Sequence, residues 1–179
     1  MMIDSSKYYI DTWIDKGSPN EWRFIRFYGE PDTLRRGEAW DSLRILNHHP
    51  DVPWLCASDF NEIVRQEEKL GGATRHQGQM QLFRDVLDEY GFLDLGFVGN
   101  RFTWSKHIAD GHSIWERLDR GVVNVNWFIQ FPGTIPGTIV HHLHCTSSDH
   151  MPQYINLSGL EIPSRKKLFR FEEMWLSDM

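Results

Sequence analysis

The stretch WLCASDFNEI, Trp54 to Ile63, constrains this chain more than any other ten residues. An apolar run of strand length stops abruptly on an acid, an aromatic, an amide and a second acid, Asp59 to Glu62. A short continuous apolar run reads as a buried strand. Side chains two residues apart on extended backbone point the same way. Asp59 and Asn61 are therefore expected to reach one spot together. In layered α/β folds the carboxyl end of a strand is where chemistry usually sits.

The surrounding pattern supplies elements to pack against that strand. KYYIDTWID and EWRFIRFYG are aromatic and β-branched runs separated by the turn signal KGSPN, which predicts an antiparallel pair. PDTLRRGEAWDSLRILNHHP puts Leu34, Trp40, Leu43 and Leu46 at near-helical spacing and predicts a helix over Leu34–Asn47, with Gly37 weakening its first turn. RHQGQMQLFRDVLDEYGF carries Met80, Phe83, Val86, Leu87 and Tyr90 on one face and predicts a second helix over Gln79–Tyr90, with Gly91 as its C-cap. NRFTWSKH, SIWERLDRGVVN, TIVHHLHC and MPQYINL read as strands, with a short helical turn in NVNWFIQF. At 179 residues the length fits one domain. Strands flanked by helices imply a layered α/β sandwich. The tail PSRKKLFRFEEMWLSDM carries a basic cluster after Pro163 and reads as a linker or an added helix.

Bulk properties exclude some classes. Forty per cent hydrophobic and thirteen per cent aromatic residues make a globular composition, and the eight tryptophans serve packing or a stacking surface. A net charge of −6 argues against purely non-specific nucleic-acid binding, though not against a local basic rim. Cys56 and Cys145 are too few for a secreted disulfide framework. The start MMIDSSKYYI has no signal-peptide pattern, and no apolar stretch is long enough to span a membrane. These features read as a soluble intracellular protein, nuclear or cytoplasmic.

Taken singly, the remaining polar motifs have ordinary explanations. Asp149 and His150 in SSDHMP read as a solvated loop pair, because adjacent strand residues face opposite ways unless the backbone bends. Asp119 in WERLDRGVV reads as half of a surface Arg-Asp pair of little energetic weight. The histidines of HHLHC have no second ligand pair at zinc-finger spacing and read as structural. Tyr28 in FYGEP reads as core. KLGGAT lacks the Lys-Ser/Thr of a phosphate-cradling loop.

Their order along the chain reads differently. FYG, DFN, RFTW, RLDR and then SDH before a last strand form an ordered signature. It resembles the endonuclease/exonuclease/phosphatase superfamily. WRFIRFYGEP, PWLCASDFNEI, EKLGG, LDLGFVGNRFTWS and ERLDR are more closely similar to the endonuclease domain of plant LINE-type non-LTR retrotransposons. The resemblance runs from about Tyr8 to Leu157. It implies an α+β, DNase I-like four-layer sandwich of two mixed sheets flanked by helices, over residues 1–158, with 159–179 as a linker toward a reverse transcriptase. FRFEEMWL is similar to that linking segment.

The resemblance also implies roles in Mg²⁺-dependent phosphodiester hydrolysis of DNA, with Mn²⁺ as the alternative ion. Asp59 would activate or orient the attacking water, and Asn61 would hold a phosphate oxygen or the nucleophile. His150 would stabilise charge on the phosphoryl oxygens, with Asp119 within reach of its other ring nitrogen. Asp149 and Asp59 would hold the metal, and Tyr28 would donate to the scissile phosphate. Arg101, Trp104, Lys106 and Arg120 would contact nucleic acid. Two departures stand out: Ser58 replaces a usual Gly, and nothing before Tyr8 supplies the Asn and metal-binding Glu of the superfamily's first strands. The resemblance thus implies a domain incomplete at its N-terminus, with impaired turnover and an unpaired sheet edge open to association. A non-catalytic nucleic-acid-binding module and a small phosphate-ester phosphatase of the same fold are the alternatives.

Overall fold

The computed structural model describes residues 3–46, 51–108, 111–131 and 138–157. The expected 159–179 linker and the end of the first predicted helix, Asn47, lie outside them. The chain runs β1 (Ile3–Ser5), β2 (Tyr9–Ile14), β3 (Trp22–Tyr28), α1 (Arg36–Ile45), β4 (Trp54–Asp59), a 3-10 turn (Gln66–Glu68) and β5 (Lys69–Leu70). It continues with α2 (Gln77–Glu89), β6 (Leu93–Asp94), β7 (Val98–Gly99), β8 (Trp104–His107), β9 (Ser113–Glu116), β10 (Asp119–Val123), α3 (Val125–Gln130), β11 (Ile139–His142) and β12 (Gln153–Asn156).

The strands form a six-stranded sheet in the order β1-β2-β3-β4-β10-β6 and two three-stranded sheets, β12-β11-β7 and β5-β9-β8. The first two are mixed, since β3 runs parallel to β4 and β11 parallel to β7 while their other pairings are antiparallel. The predicted pairing of β2 with β3 is antiparallel, as the KGSPN turn implies. In this α+β arrangement the described residues build three layers: helices, the six-stranded sheet and the β12-β11-β7 sheet.

Alternation along the strands decides what each layer touches. One face of the large sheet carries Ile25, Phe27, Trp54, Cys56 and Val122, packed with Trp40 and Leu43 of α1 and Phe83 and Val86 of α2. Aromatic rings carry much of this contact: Trp40 stacks on Phe83 at 5.0 Å between centroids, and Phe60 lies 5.4 Å from Phe27. α2 starts at the side chain of His76, which accepts a hydrogen bond from the Gly78 N–H. α1 begins two residues later than its periodicity predicts, leaving Leu34 exposed. The short helical turn in NVNWFIQF is α3, where the Asn124 side chain accepts from the Trp127 N–H.

The opposite face of the large sheet carries Phe24, Leu55 and Val123, with Trp127, Leu95 and Ile155 packed against them. The β12-β11-β7 sheet packs on this face at β10 and, through Ile155, against the cluster around Leu55. There a side chain at Gly121 would put its Cβ 2.9 Å from Val140 Cγ2 and 3.7 Å from Ile155 Cδ1. Over β3 and β4 the same face opens as a groove. Both cysteines are free, with Cys56 in the core. No described helix is long and apolar enough to cross a membrane.

Candidate active site

Sheet register places three of the expected residues in one row. Tyr28 on β3 stands opposite Asp59 on β4, and Asp59 stands opposite Asp119 on β10. Being in register across adjacent strands, the three share the face that opens into the groove, and all three line it. Tyr28 is not core: half of its surface is exposed.

Asp149 and His150 complete the cluster from the segment before β12. They are sequence neighbours yet line one cleft, because their segment is a bend rather than a strand; His150 makes only an isolated bridge, to Trp104. The His150 Nδ1 lies 3.0 Å from Asp119 Oδ2, and its Nε2 lies 3.8 Å from Asp59 Oδ2. The hydrogen bond to Asp119 holds the imidazole above its ordinary pKa, against the opposing effect of burial. Burial, aided by the charge of Asp119, pushes the Asp59 carboxyl up to about 6.

The residues that hold these groups are less obvious in the sequence. Thr103 Oγ1 accepts from the N–H groups of both Leu118 and Asp119 at 2.9 Å, and its carbonyl accepts from the Met151 N–H at 2.7 Å. One fully buried threonine thus ties the Asp119 strand end to the His150 segment. It sits inside the RFTW motif, and motif order is its only signal in the sequence. Trp104 adds a second tie, its indole N–H donating to Asp149 Oδ2 at 3.0 Å. Trp104 is partly buried on Ile63, Met80 and Leu118. Gly29 is required for a different reason: a Cβ there would lie 2.0 Å from the Phe60 carbonyl oxygen.

Two expectations need correction, those for Asn61 and Arg120. Asn61 does not continue the strand beside Asp59. β4 ends at Asp59, and Asn61 takes a left-handed conformation, φ 55°, with its N–H donating to Asp59 Oδ1 at 2.8 Å. Its side-chain amide donates to the Gly29 carbonyl at 2.7 Å, so it braces the FYG turn and is not among the residues lining the groove. Arg120 does not face nucleic acid. Adjacent to Asp119 on a strand, it points the opposite way and is fully buried, paired with Glu68 at 2.8 Å and Asp94 at 2.9 Å. Arg101 and Lys106 lie outside the groove, and Arg101 is exposed and donates to the Glu67 carbonyl.

One ligand atom each from Asp59, Asp119 and His150 can lie within 4.8 Å of the others. Hard divalent cations take oxygen donors, and the carboxylates facing this cleft fit that chemistry. Much of their capacity is already engaged: Asp119 by His150, Asp149 by Trp104, and Asp59 by the Asn61 N–H.

No protein-family model matches the sequence, and no protein of curated function matches it significantly. Solved structures do match. The endonuclease domain of TRAS1, a telomere-specific non-LTR retrotransposon, superposes with a TM-score of 0.62 at 15% identity, over 86% of this chain and 68% of that one. The 3′ phosphatase NExo from Neisseria, solved bound to product DNA hairpin, gives 0.59 at 16% identity, over 86% of this chain and 65% of that one. This chain therefore spans about two thirds of each neighbour's length, and across that span it has the DNase I-like fold of the endonuclease/exonuclease/phosphatase superfamily.

Proposed function

We propose that this protein is a metal-dependent phosphodiesterase acting on DNA, of the retrotransposon endonuclease type, with slow turnover. The observation that carries the reading is the Tyr28–Asp59–Asp119 row closed by His150, with its 3.0 Å contact to Asp119. Phosphodiester hydrolysis asks a protein for in-line positioning and neutralisation of developing charge more than for covalent chemistry.

Asp59 suits the base. In the metal-free cleft burial raises its pKa to about 6, which still leaves it ionised at neutral pH. It takes one proton from the attacking water as the water oxygen bonds to phosphorus and the leaving P–O bond breaks; solvent returns a proton to the leaving oxygen. The protonated imidazole of His150, oriented by Asp119, donates from Nε2 to a phosphoryl oxygen. The exposed phenol of Tyr28 donates from the same row. Asn61 acts indirectly, by fixing Asp59. A Mg²⁺ or Mn²⁺ ion held by Asp59 and Asp149 would supply the largest positive charge available to the phosphoryl group. No glutamate lines the groove among the described residues, and one oxygen of each of its three aspartates already accepts a hydrogen bond, which supports weak metal binding and slow turnover.

That same scarcity favours a second reading, a binding module that holds DNA without cutting it. Nicking of supercoiled plasmid by stoichiometric protein in millimolar Mg²⁺ or Mn²⁺ tests the first reading, with EDTA and Asp59→Asn as controls. Slow, metal-dependent nicking lost in Asp59→Asn is expected. Nicking that persists in Asp59→Asn, or none with either ion, refutes the catalytic assignment; a mobility shift in EDTA would then support the binding module. We propose further that β12, paired on one side with β11, offers its other edge for association.

A further inference from the structure

The groove beside the catalytic row has a cavity volume of about 960 Å³, and Phe24, Arg26, Leu55 and Ala57 of β3 and β4 line it together with Gln153 and Ile155 of β12. Moving away from Tyr28 and Asp59, the next row in register is Arg26, Ala57 and Gly121. After it come Phe24, Leu55 and Val123. The middle row therefore has one long side chain and two of the smallest. Arg26 is exposed, lines the groove, and is the one lysine or arginine that does so among the described residues.

Every buried arginine near the site has a carboxylate: Arg36 has Glu62, Arg117 and Arg120 have Glu68 and Asp94. Arg26 has none. It lies one i, i+2 step from Tyr28 on the same face, yet makes no ion pair with Asp59, Asp119 or Asp149 and no hydrogen bond from its side chain to any described residue. A guanidinium on an otherwise apolar floor, left uncompensated beside an acidic cluster, is a receptor for an anion. Arg is also the side chain best shaped for bidentate contact with phosphate oxygens.

We propose that Arg26 binds a backbone phosphate of the DNA strand, next to the phosphate held at Asp59 and His150. The assignment rests on the nucleic-acid reading above. Two residues of extended chain separate the rows by roughly 6.7 Å, and the long arginine stem adjusts the remaining distance to the next phosphate. Ala57, which lines the groove beside Arg26, presents only a methyl group there. Arg26 would add affinity without base preference, since phosphate contacts position the strand and carry no sequence information.

The test is fluorescence anisotropy with a labelled single-stranded oligodeoxynucleotide, in EDTA to prevent turnover, over a salt series. It uses the full chain, Arg26→Ala and Arg26→Lys, with circular dichroism to confirm the fold. Arg26→Ala is expected to weaken binding about threefold to tenfold on every sequence tried and to lower the slope of log affinity against log salt by about 0.7. Arg26→Lys should keep the slope. A parent chain that binds with unchanged affinity and slope in Arg26→Ala overturns this assignment alone. A parent chain that binds no oligonucleotide overturns the nucleic-acid reading as well. Inorganic phosphate competing as effectively as unlabelled strand, per phosphate, overturns the strand assignment in favour of a free-anion site.

Discussion

Replacing Thr103 by valine keeps the shape of the side chain and deletes its hydroxyl. Two donors lose their acceptor at once, the N–H groups of Leu118 and Asp119, each 2.9 Å from Oγ1. The threonine is fully buried and Leu118 nearly so, which leaves water little access to replace the lost bonds. A buried donor stripped of its partner costs about 1–3 kcal/mol. The Asp119 N–H is the less enclosed of the two, so the pair should cost about 2–4 kcal/mol. With a urea m-value of about 2 kcal/mol per molar for a chain of this size, the midpoint should fall by about 1–2 M, with m unchanged. Thr103→Ser restores the oxygen and should recover most of the loss, less the packing of one methyl. The two variants separate hydroxyl from volume. A Thr103→Val midpoint within about 0.25 M of the parent would refute the reasoning, because the two N–H groups would have found other partners.

Two further outcomes follow from the buried charges. Arg120→Met leaves Glu68 and Asp94 sharing Arg117 alone, and should destabilise by about 3 kcal/mol in urea denaturation; oligonucleotide affinity of the folded protein should not change. Asp59 binds its proton more tightly folded, with a pKa of about 6 against 3.8 for an ordinary aspartate. Its contribution to stability is thus present below about pH 4 and lost as pH rises through 6, amounting to about 2–3 kcal/mol. The raised His150 pKa adds a loss of the same sign above 6.5. Denaturation across that range in EDTA should show stability falling with pH, and Asp59→Asn should flatten the part below about 6.

Periodicity makes the layers legible but cannot see where it stops. The i, i+3, i+4 pattern of Met80, Phe83, Val86 and Leu87 marks the buried face of α2. A period of two carried as far as Asn61 overruns the strand, because the chain turns left-handed there, a conformation asparagine tolerates better than most residues. The same period, applied to Asp119 and Arg120, separates the two faces correctly; what sequence spacing does not supply is Glu68 and Asp94, the distant carboxylates that let Arg120 stay buried. Asp149 and His150 illustrate the converse. Their adjacency argues against a shared cleft only if they lie on a strand, and the bend after β11 removes that premise. Thr103 is invisible for a general reason: its contribution is to backbone N–H groups, which no side-chain pattern reports.

Asp59, Asp119 and His150 are not independent, and their coupling comes from how the sheet is built. Register sets Asp59 directly opposite Asp119, so two carboxylates meet at one strand end where burial already disfavours charge. Such a pair is tolerable when a cation stands between them, and His150 comes from the far end of the chain to do so, 3.0 Å from one and 3.8 Å from the other. Asp119 raises both partners: its charge pushes the Asp59 carboxyl up, and its hydrogen bond pulls the His150 imidazolium up. The Asp59 carboxyl thereby keeps its proton to a higher pH, and the imidazole stays protonated to a higher pH as well. Both shifts depend on Asp119 staying where Thr103 and the β4–β10 pairing hold it. The chemistry of this cleft is in that sense a property of strand register before it is a property of any one side chain.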